Sequence, residues 1–257
     1  MIDARAPNPL PNHSPAADEL RDRVILITGA GDGIGKAVAL ACARYGATVI
    51  LLGRTVKKLE KVYDAIVAAG GAQPAIYPMD LLGATAQHFE ELAENIGQAF
   101  GRLDGLLHNA AYLGALTSID NADPGEWAKV FQVNTHAPFM LTRACLPILN
   151  QSNDASIVFT GASQSRPGKA YWGAYAASKA AAQCLMEVLA DELESNANIR
   201  VNSIDPGPTR TRLRSVAYPA ENPGTLKTAE DIAGRYVYLL GPESKPANGA
   251  RFVIDEP

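Results

Sequence analysis

The sequence lacks the features that mark several classes of protein. Its three cysteines, Cys42, Cys145 and Cys184, are far apart and odd in number, so neither a disulfide framework nor a paired-cysteine metal site is expected. The four histidines do not occur at metal-ligand spacing, and we predict no metal site. A reducing, cytoplasmic compartment therefore fits the chain best.

Long apolar runs and blocks of like charge are also missing. No apolar run approaches the roughly 18 residues that a membrane-spanning helix needs, so no membrane association is expected. Lys and Arg total 23 against 27 for Asp and Glu, with no basic block, which makes nucleic acid an unexpected partner. Residues 1–23 contain four prolines and no apolar core of signal-peptide length, and we interpret them as an irregular arm.

What the chain does have is apolar content, 47% of 257 residues, arranged in an alternating pattern. From residue 24 onward, short apolar runs alternate with segments of helical spacing, which predicts an α/β fold with helices on both faces of a parallel sheet. We expect one doubly wound, Rossmann-type domain over residues 24–257. The seven predicted strands are 24–27, 48–52, 75–77, 103–108, 156–159, 199–204 and 251–254. The predicted helices are 33–45, 55–69, 85–100, 125–150, 173–196 and 228–240.

Residues 206–228 break this alternation. They contain four prolines and two glycines and have no clear period. A long irregular segment in a compact domain is more often a functional loop than a packing element. We predict a substrate lid here, with a short helix near residues 212–217.

A glycine-rich turn joins the first predicted strand to the first helix. Its glycines allow a tight turn, and the helix that follows offers backbone N–H groups and a positive dipole end to a pyrophosphate. An ordinary strand-to-helix turn is the other interpretation. The predicted cofactor-binding residues of this turn are Thr28, Gly29, Asp32, Gly33, Ile34 and Gly35.

The end of the second strand indicates which dinucleotide is preferred. NAD sites usually place an acidic residue there, whereas this chain has Arg54 and no acidic residue before Glu60. A guanidinium can bind the 2′-phosphate of NADP through charge-assisted hydrogen bonds. We predict NADP(H) in preference to NAD, unless Arg54 is simply a solvated loop arginine.

Tyr175 and Lys179 are four residues apart and share one face of a predicted helix. An ammonium group beside a phenol favours the phenolate, which would lower the tyrosine pKa and make Tyr175 a usable general acid or base. Such a pair alone is usually a surface feature. Two companions favour a site: Ser163, after the fifth strand, can hold a carbonyl oxygen, and Asn134 can anchor a water chain to Lys179 or merely bend its helix.

With these residues assembled, the chain resembles the short-chain dehydrogenase/reductase family from residue 24 to 255. The resemblance implies a catalytic tetrad of Asn134, a serine, Tyr175 and Lys179, and it implies a homodimer or homotetramer. Residues 45–54 and 172–179 are similar to the YciK-like bacterial branch. The further cofactor-binding residues that the resemblance implies are Asp80, Leu81, Asn109, Ala110, Pro206, Gly207 and Thr209.

One position departs from the family pattern. Members generally place the serine thirteen residues before the tyrosine, where this chain has Ala162, while Ser163 lies twelve before it. Either Ser163 takes the role, which we favour, or the hydroxyl is missing and a group such as Gln164 replaces it.

These features predict an NADP(H)-dependent oxidoreductase that moves hydride between nicotinamide and a small-molecule carbonyl or secondary alcohol. The alternatives are a catalytically weak dinucleotide-binding redox regulator, which Ala162 mildly favours, and a purely structural subunit, which leaves the glycine turn unexplained. The substrate, the reaction direction and the stereochemistry stay open.

Overall fold

The computed structural model describes residues 7–10, 13–195 and 198–254, and a parallel β-sheet lies at its centre. The strands are β1 (Pro7–Pro9), β2 (Val24–Thr28), β3 (Thr48–Gly53), β4 (Ala75–Pro78), β5 (Gly105–His108), β6 (Ala155–Thr160), β7 (Ile199–Asp205) and β8 (Arg251–Val253). Their spatial order is β1-β8-β7-β6-β5-β2-β3-β4, and all neighbours are parallel. The seven predicted strands are confirmed.

Helices cover both faces of this sheet, as the continuous apolar strands predicted. They are α1 (Gly33–Arg44), α2 (Val56–Ala68), α3 (Ala86–Phe100), α4 (Pro124–Phe131), α5 (Ala137–Leu149), α6 (Gly173–Glu192), α7 (Arg212–Ala217) and α8 (Ala229–Leu240). One core cluster lies under α1, α2 and α8, and a second lies under α3, α5 and α6. Strand β2 serves both clusters, because Ile25 and Ile27 belong to the first and Leu26 to the second.

The sheet has one strand more than the seven predicted. This additional strand, β1, lies in the N-terminal arm, which was expected to be irregular. Pro7, Asn8 and Pro9 pair in parallel with β8, and Asn8 Nδ2 donates to the carbonyl of Arg251 at 3.4 Å. A proline-bearing segment can take this place because an edge strand needs hydrogen bonds on one side only. Leu20, later in the arm, is fully buried in the first core cluster. Residues 1–6, 11 and 12 of the arm lie outside the described residues.

The single helix predicted over residues 125–150 is divided. A π-helical segment, Gln132–His136, separates α4 from α5 and contains Asn134. Such i→i+5 turns are rare and occur frequently at functional sites. The predicted helix 173–196 ends earlier, at Glu192, and residue 196 lies outside the described residues.

An ionic network joins the amino ends of β2, β6 and β7. Ligands of such sheets bind at the carboxyl ends of the strands, so this network lies on the opposite side of the domain. Arg23, before β2, lies 2.8 Å from Asp154, and Arg200 on β7 pairs with the other oxygen of the same carboxylate. Burial alone would raise the pKa of Asp154, but Arg200 and Arg23 hold it below 3.8.

We expect Asp154→Asn to lower the free energy of unfolding by about 2 kcal/mol, somewhat less than a fully buried pair loses when one partner is removed. Because the folded pKa of Asp154 is depressed, its stabilisation is present above the unfolded value of 3.8 and is lost as the pH falls through the folded value. Urea unfolding at neutral and acid pH measures both effects. Asp18→Asn, in an exposed pair with Arg21, is the control. Equal stability of Asp154→Asn and wild type would contradict the prediction.

Candidate active site

A cleft of about 930 Å³ runs along the carboxyl ends of the strands. This is the edge where ligands bind in open α/β sheets. It is lined by residues of every predicted group: the glycine turn, the end of β3, the loop after β5, the end of β6, α6 and the segment after β7. The predicted site residues at the cleft surface are Gly29, Asp32, Gly33, Ile34, Arg54, Asp80, Leu81, Asn109, Ala110, Ser163, Tyr175, Lys179, Pro206, Gly207 and Thr209.

The glycine turn lies between β2 and α1, as predicted, and Gly29 and Gly35 are among the glycines that its geometry requires. Gly29 has a φ of +69°, in the left-handed region that favours glycine. A Cβ on Gly35 would lie 2.3 Å from the carbonyl oxygen of Gly29, so any side chain there would displace the turn. The amino end of α1 therefore opens directly onto the cleft, where its N–H groups can meet an anion.

Asp32 introduces a negative charge into this turn, and the fold neutralises it. Its carboxylate caps α1 by accepting from the N–H of Gly33 at 2.8 Å, and its other oxygen accepts from Lys58 Nζ at 2.5 Å. The hydrogen bond from Lys58 lowers the pKa of Asp32. Asp32 is thus a helix cap paired with a lysine, which limits its repulsion of a phosphate.

Thr28 and Asn109 hold two loops of the cleft together. Thr28 Oγ1 accepts from the N–H groups of Asn109 and Ala110 at 2.9 and 3.1 Å and donates to the carbonyl of Leu107. Asn109 Nδ2 donates to the carbonyl of Thr28 at 3.2 Å. These bonds fix the turn after β2 against the loop after β5.

Arg54 lies at the end of β3 with an exposed side chain. Asp80 follows β4 and also lines the cleft; its carboxylate accepts from the N–H of Leu82 at 3.1 Å, while Leu81 is buried. Arg54 thus places a positive charge at the cleft directly after β3, the position at which NAD sites usually have a carboxylate.

Tyr175 and Lys179 lie together on α6 and are both buried, 7% and 6% exposed. Lys179 Nζ lies 5.9 Å from the centre of the Tyr175 ring and donates to the carbonyl of Thr160 at 2.9 Å. Burial lowers the pKa of Lys179 to about 8.

The pKa of Tyr175 moves opposite to the prediction. Burial raises it above 10, and the charge of Asp205 raises it further. The expected lowering by Lys179 is not found: burial disfavours the phenolate, and the Lys179 amine, 5.9 Å from the ring centre and bound to Thr160, does not offset it. Tyr175 therefore carries its proton at neutral pH.

Asn134 holds the π-helical segment against α6. Its Nδ2 donates to the carbonyl of Tyr112 at 2.9 Å and to Ser178 Oγ at 3.0 Å, and its Oδ1 accepts from the N–H of Tyr112 at 2.8 Å. Ser178 Oγ in turn donates to the carbonyl of Tyr175 at 2.8 Å. Both amide hydrogens of Asn134 are therefore used to hold the π-helical segment against Tyr112 and α6.

The structure places Ala162 and Ser163 in different surroundings. Ala162 is buried in a small cluster with Trp172 and Tyr175, so a methyl group lies where the family pattern has a serine. Ser163 is exposed on the cleft surface, and Gln164 lines the same cleft.

The segment after β7 forms one wall and an edge of the cleft. Gly207 has a φ of +65°, and the buried Thr209 hydroxyl donates to the carbonyls of Pro206 and Gly207, both at 3.3 Å. The short helix predicted at 212–217 is present as α7. A Cβ on Gly33 would lie 3.3 Å from Thr211 Cγ2, so the start of α7 approaches the glycine turn across the cleft.

Aromatic side chains form the outer wall of the cleft. Trp172 lies 5.7 Å from the Tyr175 ring and 5.6 Å from Tyr218, which follows α7. The guanidinium of Arg214 lies 3.8 Å over Tyr218 and is bound to Glu221 at 2.6 and 2.5 Å. Trp172 therefore lines the cleft and also packs against Tyr175 and Tyr218.

Sequence reasoning missed three polar residues of the site. Tyr112 and Ser178 bind the side chain of Asn134, and Asp205 lies buried at the end of β7 beside the cleft. Asp205 alone carried a signal, because a carboxylate at the end of a fully buried strand is unusual. Within the described residues no group of three His, Cys, Asp or Glu side chains could hold a metal, and no helix is long and apolar enough to cross a membrane.

Comparison with known proteins agrees with this geometry. Residues 23–222 match the family model for short chain dehydrogenases. The chain is 48% identical over 241 residues to the uncharacterized oxidoreductase YciK of Escherichia coli K12, covering 94% of this chain and 95% of YciK.

Solved structures give the same result. A short chain dehydrogenase structure from Pseudomonas syringae matches with a TM-score of 0.92 and 50% identity, covering 94% of this chain and 98% of that one. Another from Escherichia coli CFT073, complexed with NADPH, matches with a TM-score of 0.90 and 48% identity over 93% and 99% of the two chains. The resemblance to the YciK-like branch is confirmed, and the chain belongs to the short chain dehydrogenase family of oxidoreductases.

Proposed function

We propose that this protein is an NADP(H)-dependent oxidoreductase that interconverts a carbonyl group and a secondary alcohol, with Tyr175 as the general acid or base. The observation that carries the proposal is the placement of Tyr175 and Lys179. Both are buried on one face of α6 and line the same cleft as the glycine turn at the start of α1. A proton-transfer pair and an anion-binding helix end thus share one cleft, which is what dinucleotide-dependent hydride transfer needs.

The residues of the cleft fit a dinucleotide. The space beside Gly35 admits no side chain, and the amino end of α1 offers N–H groups to a pyrophosphate. Arg54 supplies a guanidinium for a 2′-phosphate, and the Escherichia coli relative complexed with NADPH supports the choice of NADP(H). Asp80, Leu81, Asn109 and Ala110 would line the adenosine side, and Pro206, Gly207 and Thr209 the nicotinamide side.

When bound, NADPH supplies the hydride. Tyr175 is protonated at neutral pH because its burial raises its pKa, so it can donate a proton to the carbonyl oxygen as hydride arrives. Lys179 lies beside the phenol and would stabilise the phenolate left behind. Asn134 and Ser178 hold the turn of α6 that carries both groups.

The segment 206–228 is proposed as the substrate lid of a single domain over residues 24–257. Leu213, Ala217 and Tyr218 pack against the cluster that contains Trp172 and Tyr175. A substrate that reaches Tyr175 would therefore lie against this segment.

We assign the carbonyl-binding hydroxyl to Ser163 and expect Ser163→Ala to lower kcat about tenfold. A buried donor of this kind is worth more, roughly 10² to 10³, but Ser163 is exposed and competes with water. Steady-state NADPH oxidation measures the effect, with Ser195→Ala, outside the cleft, as control. If Ser163→Ala retains full kcat while Ala162→Ser gains activity, Ser163 does not hold the substrate oxygen and the hydroxyl of the family pattern is missing.

The methyl group of Ala162 beside Tyr175 favours a second candidate, a catalytically weak, dinucleotide-binding redox regulator. NADPH oxidation over a panel of aldehydes, ketones, quinones and 3-oxoacyl thioesters separates the two functions. Turnover that depends on Tyr175 and prefers NADPH to NADH supports the oxidoreductase. Tight NADPH binding without turnover on any compound favours the regulator.

A further inference from the structure

The side of α7 that faces the cleft is apolar and only partly covered by protein. Leu213, Val216 and Ala217 are three and four residues apart, so they share one face of this helix, and all three line the cleft. All six residues of α7 are described, and none of them is buried. Val216 is 62% exposed. Because a helix normally covers its apolar face with protein, this face is available to a ligand in the cleft.

The surroundings of Tyr175 are apolar as well. The members of the buried cluster around it are Leu113, Ala162, Trp172, Tyr175 and Ala176. All of them except Ala176 line the cleft, and α7 packs on the cluster through Leu213 and Ala217. The Trp172 ring lies 5.7 Å from the Tyr175 ring. A ligand that reaches the Tyr175 hydroxyl therefore lies beside two apolar surfaces.

The charged groups next to these surfaces are paired with other protein groups. Arg214 donates to both carboxylate oxygens of Glu221, at 2.6 and 2.5 Å. Lys169 Nζ donates to the Tyr218 hydroxyl at 3.0 Å and lies 5.0 Å from the centre of that ring. A substrate carboxylate at this end of the cleft would have to compete with Glu221 for Arg214.

Two further cations belong to the cofactor part of the cleft. Arg212 follows Thr211, whose Cγ2 would lie 3.3 Å from a Cβ on Gly33 in the glycine turn, and the charge of Arg212 helps to lower the pKa of Asp32 in that turn. The buried Lys179 amine donates to the backbone at the end of β6. An acidic group beside the apolar face of α7 would lose its hydration in apolar surroundings, which is costly without a partner.

We propose that the substrate is an uncharged carbonyl compound, or its alcohol, with an apolar body that lies between α7 and Trp172. This inference rests on the proposed function, because it concerns the compound that exchanges a proton with Tyr175. Val216 is a specificity-determining residue in this arrangement, since its exposed side chain gains contact when an apolar body binds. A carboxylate in the same place gains no such contact.

Two ketones of nearly equal shape test the proposal by binding alone. They are 4-isopropylcyclohexanone and 4-oxocyclohexanecarboxylate, which differ only in the group opposite the carbonyl. The full-length protein is labelled with 5-fluorotryptophan at its two tryptophans, Trp172 in the cleft wall and Trp127 outside it, and Trp127→Phe assigns the ¹⁹F resonances. Each ketone is titrated with and without NADP⁺, to which a ketone transfers no hydride.

The Trp172 resonance should move with both compounds, and the Kd of 4-isopropylcyclohexanone should be about tenfold lower. The isopropyl group gains buried area, and the carboxylate loses hydration. The Trp127 resonance should stay in place. Equal or tighter binding of the carboxylate would mean that a lid arginine turns to the substrate, which overturns the proposal. A Trp172 resonance that 4-isopropylcyclohexanone does not move also overturns it.

A charge placed on α7 tests the contact with Val216. Val216→Lys should narrow the ratio of the two Kd values about fivefold, the upper end of what an exposed ion pair provides. Ser215→Lys adds the same charge to the same helix, at an exposed residue that does not line the cleft, and should leave the ratio unchanged. An unshifted Trp127 resonance shows that each variant is folded. Equal ratios in Val216→Lys and wild type would refute the contact with α7.

Turnover separates this inference from the proposed function. The ratio of kcat/KM for NADPH-dependent reduction of the two ketones should favour 4-isopropylcyclohexanone, as the Kd values do. Full activity of Tyr175→Phe would refute the proposed function. Turnover that depends on Tyr175 but favours 4-oxocyclohexanecarboxylate would refute only the substrate class.

Discussion

Replacing Tyr175 by phenylalanine should lower kcat for carbonyl reduction roughly 10³-fold, within the range that positioned general acids contribute. The Tyr175 phenol can donate a proton to the substrate, and Lys179 Nζ lies 5.9 Å from the centre of its ring. Because only the hydroxyl is removed and the buried ring remains, NADPH affinity should change less than about twofold. Stopped-flow or steady-state loss of NADPH absorbance measures kcat, and fluorescence titration measures binding.

Tyr171→Phe is the matched control for this variant. Tyr171 lies four residues earlier and is 65% exposed, so loss of its hydroxyl should leave kcat unchanged. Near-normal turnover in Tyr175→Phe would remove Tyr175 from the reaction. Loss of NADPH binding together with kcat would instead mean that the hydroxyl supports the cofactor site.

Arg54→Ala should weaken NADPH binding about 100-fold and leave NADH binding unchanged. The guanidinium can form two charge-assisted hydrogen bonds with a 2′-phosphate, each worth about 1.5 kcal/mol or more, and NADH has no such phosphate. Since Arg54 is exposed and lies at the end of β3, its removal should not disturb the fold. Calorimetric titration with each dinucleotide gives both dissociation constants.

Arg44→Ala is the control for charge in this experiment. Arg44 is exposed in the last turn of α1, the end of the helix that points away from the cleft. The Arg44→Ala variant loses one positive charge, as Arg54→Ala does, but loses no group that faces the cleft. An equal loss of NADH and NADPH affinity in Arg54→Ala would contradict selection by Arg54.

The order of strands and helices could be predicted because most of the buried strands are apolar runs that alternate with segments of helical spacing. Strand β1 could not, because its pairing depends on β8 at the other end of the sequence, and three residues with two prolines carry no strand pattern. At Gln132–His136 the sequence indicated no more than a bend at Asn134, and the π-helical division of the helix could not be predicted, since Asn134 is held there by bonds to Tyr112 and Ser178.

The candidate site was predictable in position, and its electrostatics were not. Spacing along α6 places Tyr175 beside Lys179, but it carries no information on burial, which raises the pKa of one and lowers that of the other. Likewise, the one-residue offset between Ala162 and Ser163 is visible in the sequence. Which of them packs against Tyr175 depends on the turn after β6, and the structure buries the alanine.

The proline-bearing strand β1 has a consequence for how the sheet ends. Without it, β8 would present a row of unpaired backbone groups, a template onto which a foreign chain can add. Two of the three residues of β1 have no N–H, so the strand that covers this edge is itself a poor partner for another. The arm thus stops the growth of the sheet at this side, which protects the protein against edge-to-edge aggregation.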